Sequence, residues 1–303
     1  PAFQGIMQAI RQAHGNLRPV LVGAASGIEG RLAFNRRYVM RDGTVRTNPR
    51  LGDPNIRYCE GPIDPEVGVV SFTTEALENV ALLLHYTCHP AHGYPKRYIS
   101  ADWPGAWCDG VRAAYNLQGV PMVLNGCCGN INHPNFYDPR HVDDYRRFGR
   151  LLTETTDGII KSIHYADKAV LDWRSQTISI PIRELPAQQV KEAEEMLAAH
   201  PEPIWRDAEH TAIEWDWVYA LEITDLAQRR QKKAFFDYQV QALRIGDIAL
   251  VALPGEPFVE AQLRIKLESP TYPTYVAHHC SAYVGYVPTK HAFDRGGYET
   301  WTC

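Results

Sequence analysis

Three stretches of the chain carry side chains that could hold a metal ion, each at the end of a predicted strand. LLLHYTCHP leads out of an apolar run into His85, VALPGEPFVE leads into Glu256, and SAYVGYVPTKHAFDRGGYE contains Tyr286 and Tyr298. Strand ends are held rigidly while loops supply side chains, so sites often gather there. An imidazole, a carboxylate and a phenol around an open position are compatible with a Zn2+ site that activates water.

The elements that must position these groups alternate along the chain. Apolar or alternating stretches such as RPVLVGAAS, EVGVVSFTTE, NVALLLHYTCH and GVPMVLNG indicate strands, and WPGAWCDGVRAAYNL indicates a helix between them. Residues 34–65 are rich in Arg, Asn, Gly and Pro and are predicted to form a long shaped loop.

The second half of the chain continues the same alternation. Period-two alternation over residues 170–182 predicts a strand, and the charged region 186–234 predicts a helical pair with a solvent-facing surface. FDYQVQALRIGDIALVALPG then predicts a hairpin turning at IGD. The prediction is an α/β fold with a mixed β-sheet core and surrounding helices, in a single domain over residues 1–303.

Composition excludes several classes of protein. The chain has 303 residues, of which 45% are hydrophobic and 22% charged, as in ordinary globular proteins. A net charge of -4 argues against a general nucleic-acid binder, so no nucleic-acid partner is expected. No apolar run reaches the ~18 residues that a membrane span needs. The seven cysteines include no CxxC pair, which argues against a four-cysteine zinc module.

Two other catalytic patterns are weaker. LVGAASGIEG and the Tyr286–Lys290 pair imitate a short-chain dehydrogenase, but Pro288 prevents the pair from sharing one helical face. NGCCGN could present Cys127 or Cys128 as a nucleophile, although adjacent cysteines on such a turn more often pack than react.

In combination the motifs have a family resemblance. The series FNRR, LLHYTCHP with ISADWPG, NGCCGNINHPN, ALPGEPFVE and GYVPTKHAFDRGGYE, in this order, resembles the catalytic domain of the neutral/alkaline (non-lysosomal) ceramidase superfamily. The likeness extends over nearly the whole chain. It implies a zinc amidohydrolase that cleaves an N-acyl bond with metal-activated water, in a secreted or periplasmic setting.

The resemblance also assigns roles to individual residues. It implies His85, Glu256 and Tyr286 as metal ligands, and Tyr298 and Arg36 as catalytic groups that face the reacting carbonyl. Arg37 follows Arg36 where the resembling motif carries Ser. Further residues are expected to line the pocket or to orient the ligands: Asp102, Asn130, Asn132 and His89.

One motif of the resembling family is missing from the chain. Its first zinc histidine and its proton-transfer histidine belong to an HTHSGP-like segment, which would precede the opening PAFQGIMQAI. Either the chain is a fragment that lacks an N-terminal part and a C-terminal continuation, or the missing ligand comes from another segment.

The predicted loops argue for a polar substrate. RRYVMRDGTVRTNPRLGDPNIRYCEGPIDPE and HPNFYDPRHVDDYRR are rich in Arg, Asp and Tyr, which suit a polar or glycan-related ligand more than ceramide. The expected partner is thus a small-molecule or lipid- or glycan-like substrate. The alternative is a catalytically inactive family member that binds a glycan or a lipid without turnover.

Overall fold

The computed structural model describes residues 2–94, 98–117, 119 and 121–301. Within these ranges helices and strands alternate, which confirms the predicted α/β class. The helices are α1 (Ala2–Gly15), α2 (Asp102–Tyr115), α3 (Tyr145–Ile160), α4 (Ala187–Ala199), α5 (Trp215–Lys232), α6 (Val259–Glu268) and α7 (Lys290–Arg295). Among the described residues, no helix has the length and apolar character that crossing a membrane requires.

Two four-stranded sheets form the body of the molecule. The first has the order β1-β6-β7-β8, built from β1 (Leu21–Ile28), β6 (Glu66–Thr73), β7 (Asn79–Tyr86) and β8 (Met122–Asn125). The second has the order β10-β11-β12-β14, built from β10 (Leu171–Pro181), β11 (Phe235–Ile245), β12 (Ile248–Ala252) and β14 (Thr274–Ala277). Each sheet combines antiparallel pairs with one parallel pair, so both are mixed.

Helices α2 and α3 cover one face of the first sheet. Their apolar residues recur at helical spacing, and the buried rings of Trp103, Trp107 and Phe148 pack together against the strands. The indole N–H of Trp107 donates to the hydroxyl of Thr156 at 2.9 Å, which satisfies the one polar atom of the ring. This layer forms the largest part of the hydrophobic core.

The other face of the first sheet packs on the second sheet. Tyr275 of β14 lies over Gly68 of β6, and a Cβ built on that glycine would come within 2.1 Å of the ring. The same ring stacks on His85 of β7 with centroids 5.1 Å apart. Glycine is required at position 68 because the second sheet approaches this closely.

Short strand pairs outside the two sheets position the candidate site. In one parallel pair, β13 (Glu256–Pro257) lies beside β15 (Tyr286–Val287), with Glu256 directly opposite Tyr286. Residues 34–65, which were predicted as loop, contain four short strands that the Gly- and Pro-rich composition obscured. They are β2 (Phe34–Asn35), paired with β9 (Ile131–Asn132), and β3 (Arg37–Met40), which lies between β4 (Val45–Thr47) and β5 (Ile56–Cys59) and pairs with both.

The close approach of the two sheets gives the first prediction. Gly68→Ala should destabilise the protein by about 1–3 kcal/mol, because the added methyl group forces Tyr275 away from the first sheet. The matched control is Gly158→Ala in α3, where a Cβ has no neighbour within 4 Å. That change should stabilise the helix by about 0.5–1 kcal/mol. Urea unfolding of both variants measures the effects, and equal stability of the two would contradict this account of the sheet packing.

Candidate functional site

The candidate site is a cavity of about 760 Å³ between the strand-end loops and one face of α5. The residues from α5 follow helical spacing and are Trp215, Val218, Leu221, Glu222, Asp225, Leu226 and Arg229. Opposite them lie the polar and aromatic groups Arg36, Asn48, His89, Asn132, Tyr283, Tyr286 and Tyr298. The charged face of α5, which was predicted to be merely solvent-facing, therefore forms one wall of the cavity.

Glu256 does not itself line the cavity, but three side chains surround its carboxylate, and two of them, His89 and Tyr283, are lining residues. His89 Nε2 lies 2.9 Å from Oε2, while the Tyr283 hydroxyl donates to Oε1 at 3.4 Å and His279 Nε2 lies 3.7 Å from Oε1. Burial alone would raise the pKa of Glu256, but the His89 contact and the charges of His279 and Arg36 lower it to about 2. The carboxylate is thus ionised at neutral pH.

His89 directs Nε2 at that carboxylate. Its Nδ1 lies 2.8 Å from the carbonyl oxygen of Ile131 and donates its proton there, because a carbonyl can only accept. Burial and the charge of Arg36 lower the pKa of His89, while the contacts with Glu256 and Ile131 act in the opposite direction. In the neutral ring Nε2 has no proton. His89 Nε2 and Glu256 Oε2 therefore face each other at 2.9 Å, and either a shared proton or a cation between them would satisfy both atoms.

Tyr286 and Tyr298 form the next part of the site. Their hydroxyl oxygens are 3.0 Å apart, and their rings meet edge to face with centroids 5.4 Å apart. Burial raises the pKa of both hydroxyls, although Arg36 acts in the opposite direction. Tyr298 therefore keeps its proton at neutral pH and can donate a hydrogen bond.

A buried ionic cluster holds Arg36 against these rings. The guanidinium carbon lies 5.3 Å from the centroid of Tyr286 and 5.0 Å from that of Tyr298. Its Nε donates to Glu299 Oε1 at 3.0 Å and its Nη2 to the carbonyl of Gly129 at 2.6 Å. These contacts fix a positive charge at the cavity wall.

Arg37 belongs to the same buried ionic cluster, which accounts for an arginine at this position. Its Nη1 donates to Glu299 Oε2 at 2.9 Å, and its Nε pairs with Glu60. The side chain is fully buried. Arginine at this position thus supports Glu299 from the side opposite Arg36, and it does not line the cavity.

His85, predicted as a metal ligand, lies elsewhere, and this corrects the sequence assignment. It is an interior residue of β7 that points toward the second sheet, with Nε2 3.0 Å from the carbonyl of Val276 and the ring stacked on Tyr275. His89, three residues past the end of β7, is the histidine that reaches Glu256. The position at which β7 ends distinguishes His89 from His85, because only a residue beyond the strand can turn toward the cavity.

The two predicted asparagines occupy different places. Asn130 is buried and caps the start of α6, where its Oδ1 accepts from the amide of Val259 and its Nδ2 donates to Glu260, both at 2.9 Å. It therefore supports the segment that follows Glu256. Asn132 lines the cavity, and its Nδ2 donates to Asn48 at 3.1 Å.

Asp102 supports a different group of residues at the start of α2. Its carboxylate accepts from His92 Nδ1 at 2.7 Å and from the amides of Trp103 and Gly93 at 2.7 and 3.3 Å. His92 in turn belongs to a cluster with His133 and Asp143, whose ligand atoms all lie within 4.8 Å of one another. This cluster could hold a metal ion.

The adjacent cysteines have the packing role favoured from the sequence. Cys127 and Cys128 are fully buried, and burial raises the pKa of both thiols. His278 Nε2 lies 3.6 Å from Cys128 Sγ, but burial lowers the pKa of that histidine to about 3. The pair thus lacks the thiolate that nucleophilic catalysis needs.

Comparison with known proteins identifies the class of fold. No protein-family model and no curated protein matches the sequence. The fold is similar to that of neutral ceramidase from Pseudomonas aeruginosa, with a TM-score of 0.65, 18% identity, and coverage of 99% of this chain and 51% of that one. A second structure, described as a ceramidase complexed with C2, matches with the same TM-score and identity. The match covers 99% of this chain and 52% of that one.

These matches confirm the predicted resemblance at the level of the fold. The chain has a neutral-ceramidase-like α/β fold and spans about half the length of the two solved structures. At this identity the likeness concerns architecture, so the chemistry must be argued from the site itself.

The burial of His85 leads to a prediction about how the stability of the fold depends on pH. Burial, assisted by the charge of Lys266, lowers the pKa of His85 from 6.5 to about 3, against an opposing effect of Asp64. Between these values the unfolded chain binds the proton and the folded chain does not, so stability falls as pH decreases from about 6.5 toward 3. The slope from this residue is at most about 1.4 kcal/mol per pH unit.

His85→Phe retains a ring against Tyr275 and removes the titration, so its stability should depend less steeply on pH. Urea unfolding between pH 7 and 5 measures the difference from the unmodified protein. His14→Gln, a change at an exposed position of α1, is the control and should keep the original slope. An unchanged slope in His85→Phe would show that this histidine is not buried in its neutral form.

Proposed function

We propose that the chain carries the catalytic site of a zinc-dependent hydrolase that cleaves an N-acyl amide bond. His89, Glu256 and Tyr286 are the proposed ligands of the metal, with His89 in the place first assigned to His85. The observation that carries the proposal is the close approach of His89 Nε2 to Glu256 Oε2, at 2.9 Å.

The donor set fits zinc. A neutral imidazole, a carboxylate and a phenol are nitrogen and oxygen ligands that zinc accepts, and the Ile131 carbonyl fixes the ring orientation of His89, as ligand histidines require. Tyr286 lies opposite Glu256 in the β13–β15 pair, so the backbone holds both near the same point. Bound zinc would supply Lewis acidity and a water molecule of lowered pKa.

The chain's own residues provide the remaining functions. The Tyr298 hydroxyl, which keeps its proton, is placed to donate to the oxygen of the reacting carbonyl. Arg36 adds a fixed positive charge beneath it, held by Glu299 so that no reorganisation is needed when negative charge develops. Preorganised donors of this kind are each worth about 3 kcal/mol of barrier.

The residues of the cavity wall would suit an N-acylated substrate with a polar, glycan-related portion. Trp215 and Trp301 flank Tyr298 as flat surfaces on which a sugar-like ring can stack, and Asn48 and Asn132 add hydrogen-bonding groups. Leu221, Leu226 and Val284 form an apolar part of the wall suited to a short acyl chain. A volume of about 760 Å³ lies within the range of small-molecule sites.

Metal content and turnover test the proposal on the full-length protein. Glu256→Gln should remove one zinc ion per chain and abolish hydrolysis of N-acyl amino-sugar or N-acyl sphingosine substrates, because an amide is a poor substitute for the charged ligand. Glu75→Gln, at an exposed turn position, is the matched control and should change neither quantity. A folded protein that binds these compounds without turnover would establish the binding-protein alternative and refute the hydrolase.

The role of Tyr298 has its own test. Tyr298→Phe removes the hydroxyl and keeps the ring, so kcat should fall about 100- to 1000-fold with KM little changed. Zinc content should stay the same, which separates this residue from Tyr286. Tyr272→Phe, at an exposed position, serves as the control and should retain full activity. A kcat unaffected by Tyr298→Phe would rule out this donor.

A further inference from the structure

A second group of potential metal ligands lies outside the cavity, where three loop segments meet. His92 follows β7, His133 follows β9, and Asp143 precedes α3. The two imidazole rings stack with centroids 3.8 Å apart and 15° between their planes, and both direct a nitrogen toward Asp143 Oδ1. The two histidines are more than nine-tenths buried, whereas the carboxylate is partly exposed.

The hydrogen-bonding pattern determines which atom His92 presents. Asp102 accepts the Nδ1 proton of His92 at 2.7 Å, so the neutral ring has an unprotonated Nε2. That atom lies 3.2 Å from Asp143 Oδ1, which is also an acceptor. A carboxylate behind the distal nitrogen of a histidine is the usual support of a metal-bound imidazole.

His133 supplies an unsatisfied atom to the same point. Its Nδ1 is buried and lies 2.7 Å from Asp143 Oδ1, but the angles do not form a hydrogen bond, and this nitrogen has no other partner among the described residues. The neighbouring His141 also has a buried Nε2 without a described partner. Unpartnered buried nitrogens are rare in proteins and require an explanation.

The stacked rings are buried, and Phe148 and Tyr145 meet the ring of His92 edge to face with centroids 5.4 and 6.4 Å away. A single divalent ion would satisfy both nitrogens and the carboxylate at once. Imidazole with one carboxylate suits zinc among the common divalent ions, because magnesium and calcium prefer oxygen ligands alone.

We propose that His92, His133 and Asp143 form a second zinc site, with Asp102 as the positioning residue and the open coordination position toward solvent. The site joins the segment that carries His89 to the segment that supplies the Ile131 carbonyl, so its metal would stabilise the loops on which the catalytic site is built. It is independent of the proposed hydrolysis, and its ligands are separate from those around Glu256.

Zinc stoichiometry of the full-length protein, after chelation and reloading with Zn2+, tests the site. The unmodified protein should bind two zinc ions per chain, His133→Gln one, and Glu256→Gln one. His133→Gln combined with Glu256→Gln should bind none, with circular dichroism verifying that each variant is folded. His133→Gln binding as much zinc as the unmodified protein would overturn the second site, whereas an unchanged content in Glu256→Gln would overturn only the catalytic site.

Asp102→Asn provides a milder variant. Asp102 has a left-handed backbone with φ of 52°, which asparagine also tolerates, so the fold should be retained. Loss of the carboxylate should weaken zinc binding at the second site about 10- to 100-fold. The visible absorption of the Co2+-loaded Glu256→Gln protein isolates this site and measures the affinity. His164→Gln, at an exposed position, should leave the affinity unchanged, and an unchanged affinity in Asp102→Asn would contradict the positioning role.

Discussion

The carboxylate of Glu299 has no exposed surface and accepts hydrogen bonds from Arg36, Arg37 and Thr47. It joins the C-terminal part of the described chain to the short strands near the N-terminus. Removing one partner from a buried ionic cluster typically costs about 3–5 kcal/mol, because the remaining charge is left without compensation. The position of Arg36 beneath the two tyrosine rings depends on this cluster, and so does the polarity of the cavity wall.

The loop that follows β7 contains two histidines with the same hydrogen-bonding arrangement. His89 gives its Nδ1 proton to the Ile131 carbonyl and directs Nε2 at Glu256; His92 gives its Nδ1 proton to Asp102 and directs Nε2 at Asp143. In both cases the proton on Nδ1 is fixed and Nε2 faces an anionic oxygen. A loop of a few residues would thereby serve both proposed metal sites, provided that the segments around it hold each ring in place.

The likeness to neutral ceramidase concerns the fold. Proteins that share a fold can act on different substrates when their loops and added helices differ. Here α5 contributes one wall of the cavity with both apolar and charged residues, and Trp215 and Trp301 stand near Tyr298. In the proposed hydrolase this helix and the aromatic residues near Tyr298 would select the substrate, while the strand ends would carry the chemistry.

The sequence by itself determined the α/β class, the long helices and the hairpin at Gly246, because periodicity is a local property. It also singled out Arg36 and Tyr286, which line one cavity, and Glu256, which contacts two of the lining residues; their roles in a site stay predictions. Organisation as a single domain stays a prediction. Only the tertiary structure decided that His89 and not His85 meets Glu256, since this depends on where β7 ends and which way each side chain points. It also decided the role of Arg37, the cavity face of α5 and the convergence of His92, His133 and Asp143. Their partners lie tens to hundreds of residues away in the chain, and no local pattern encodes such contacts.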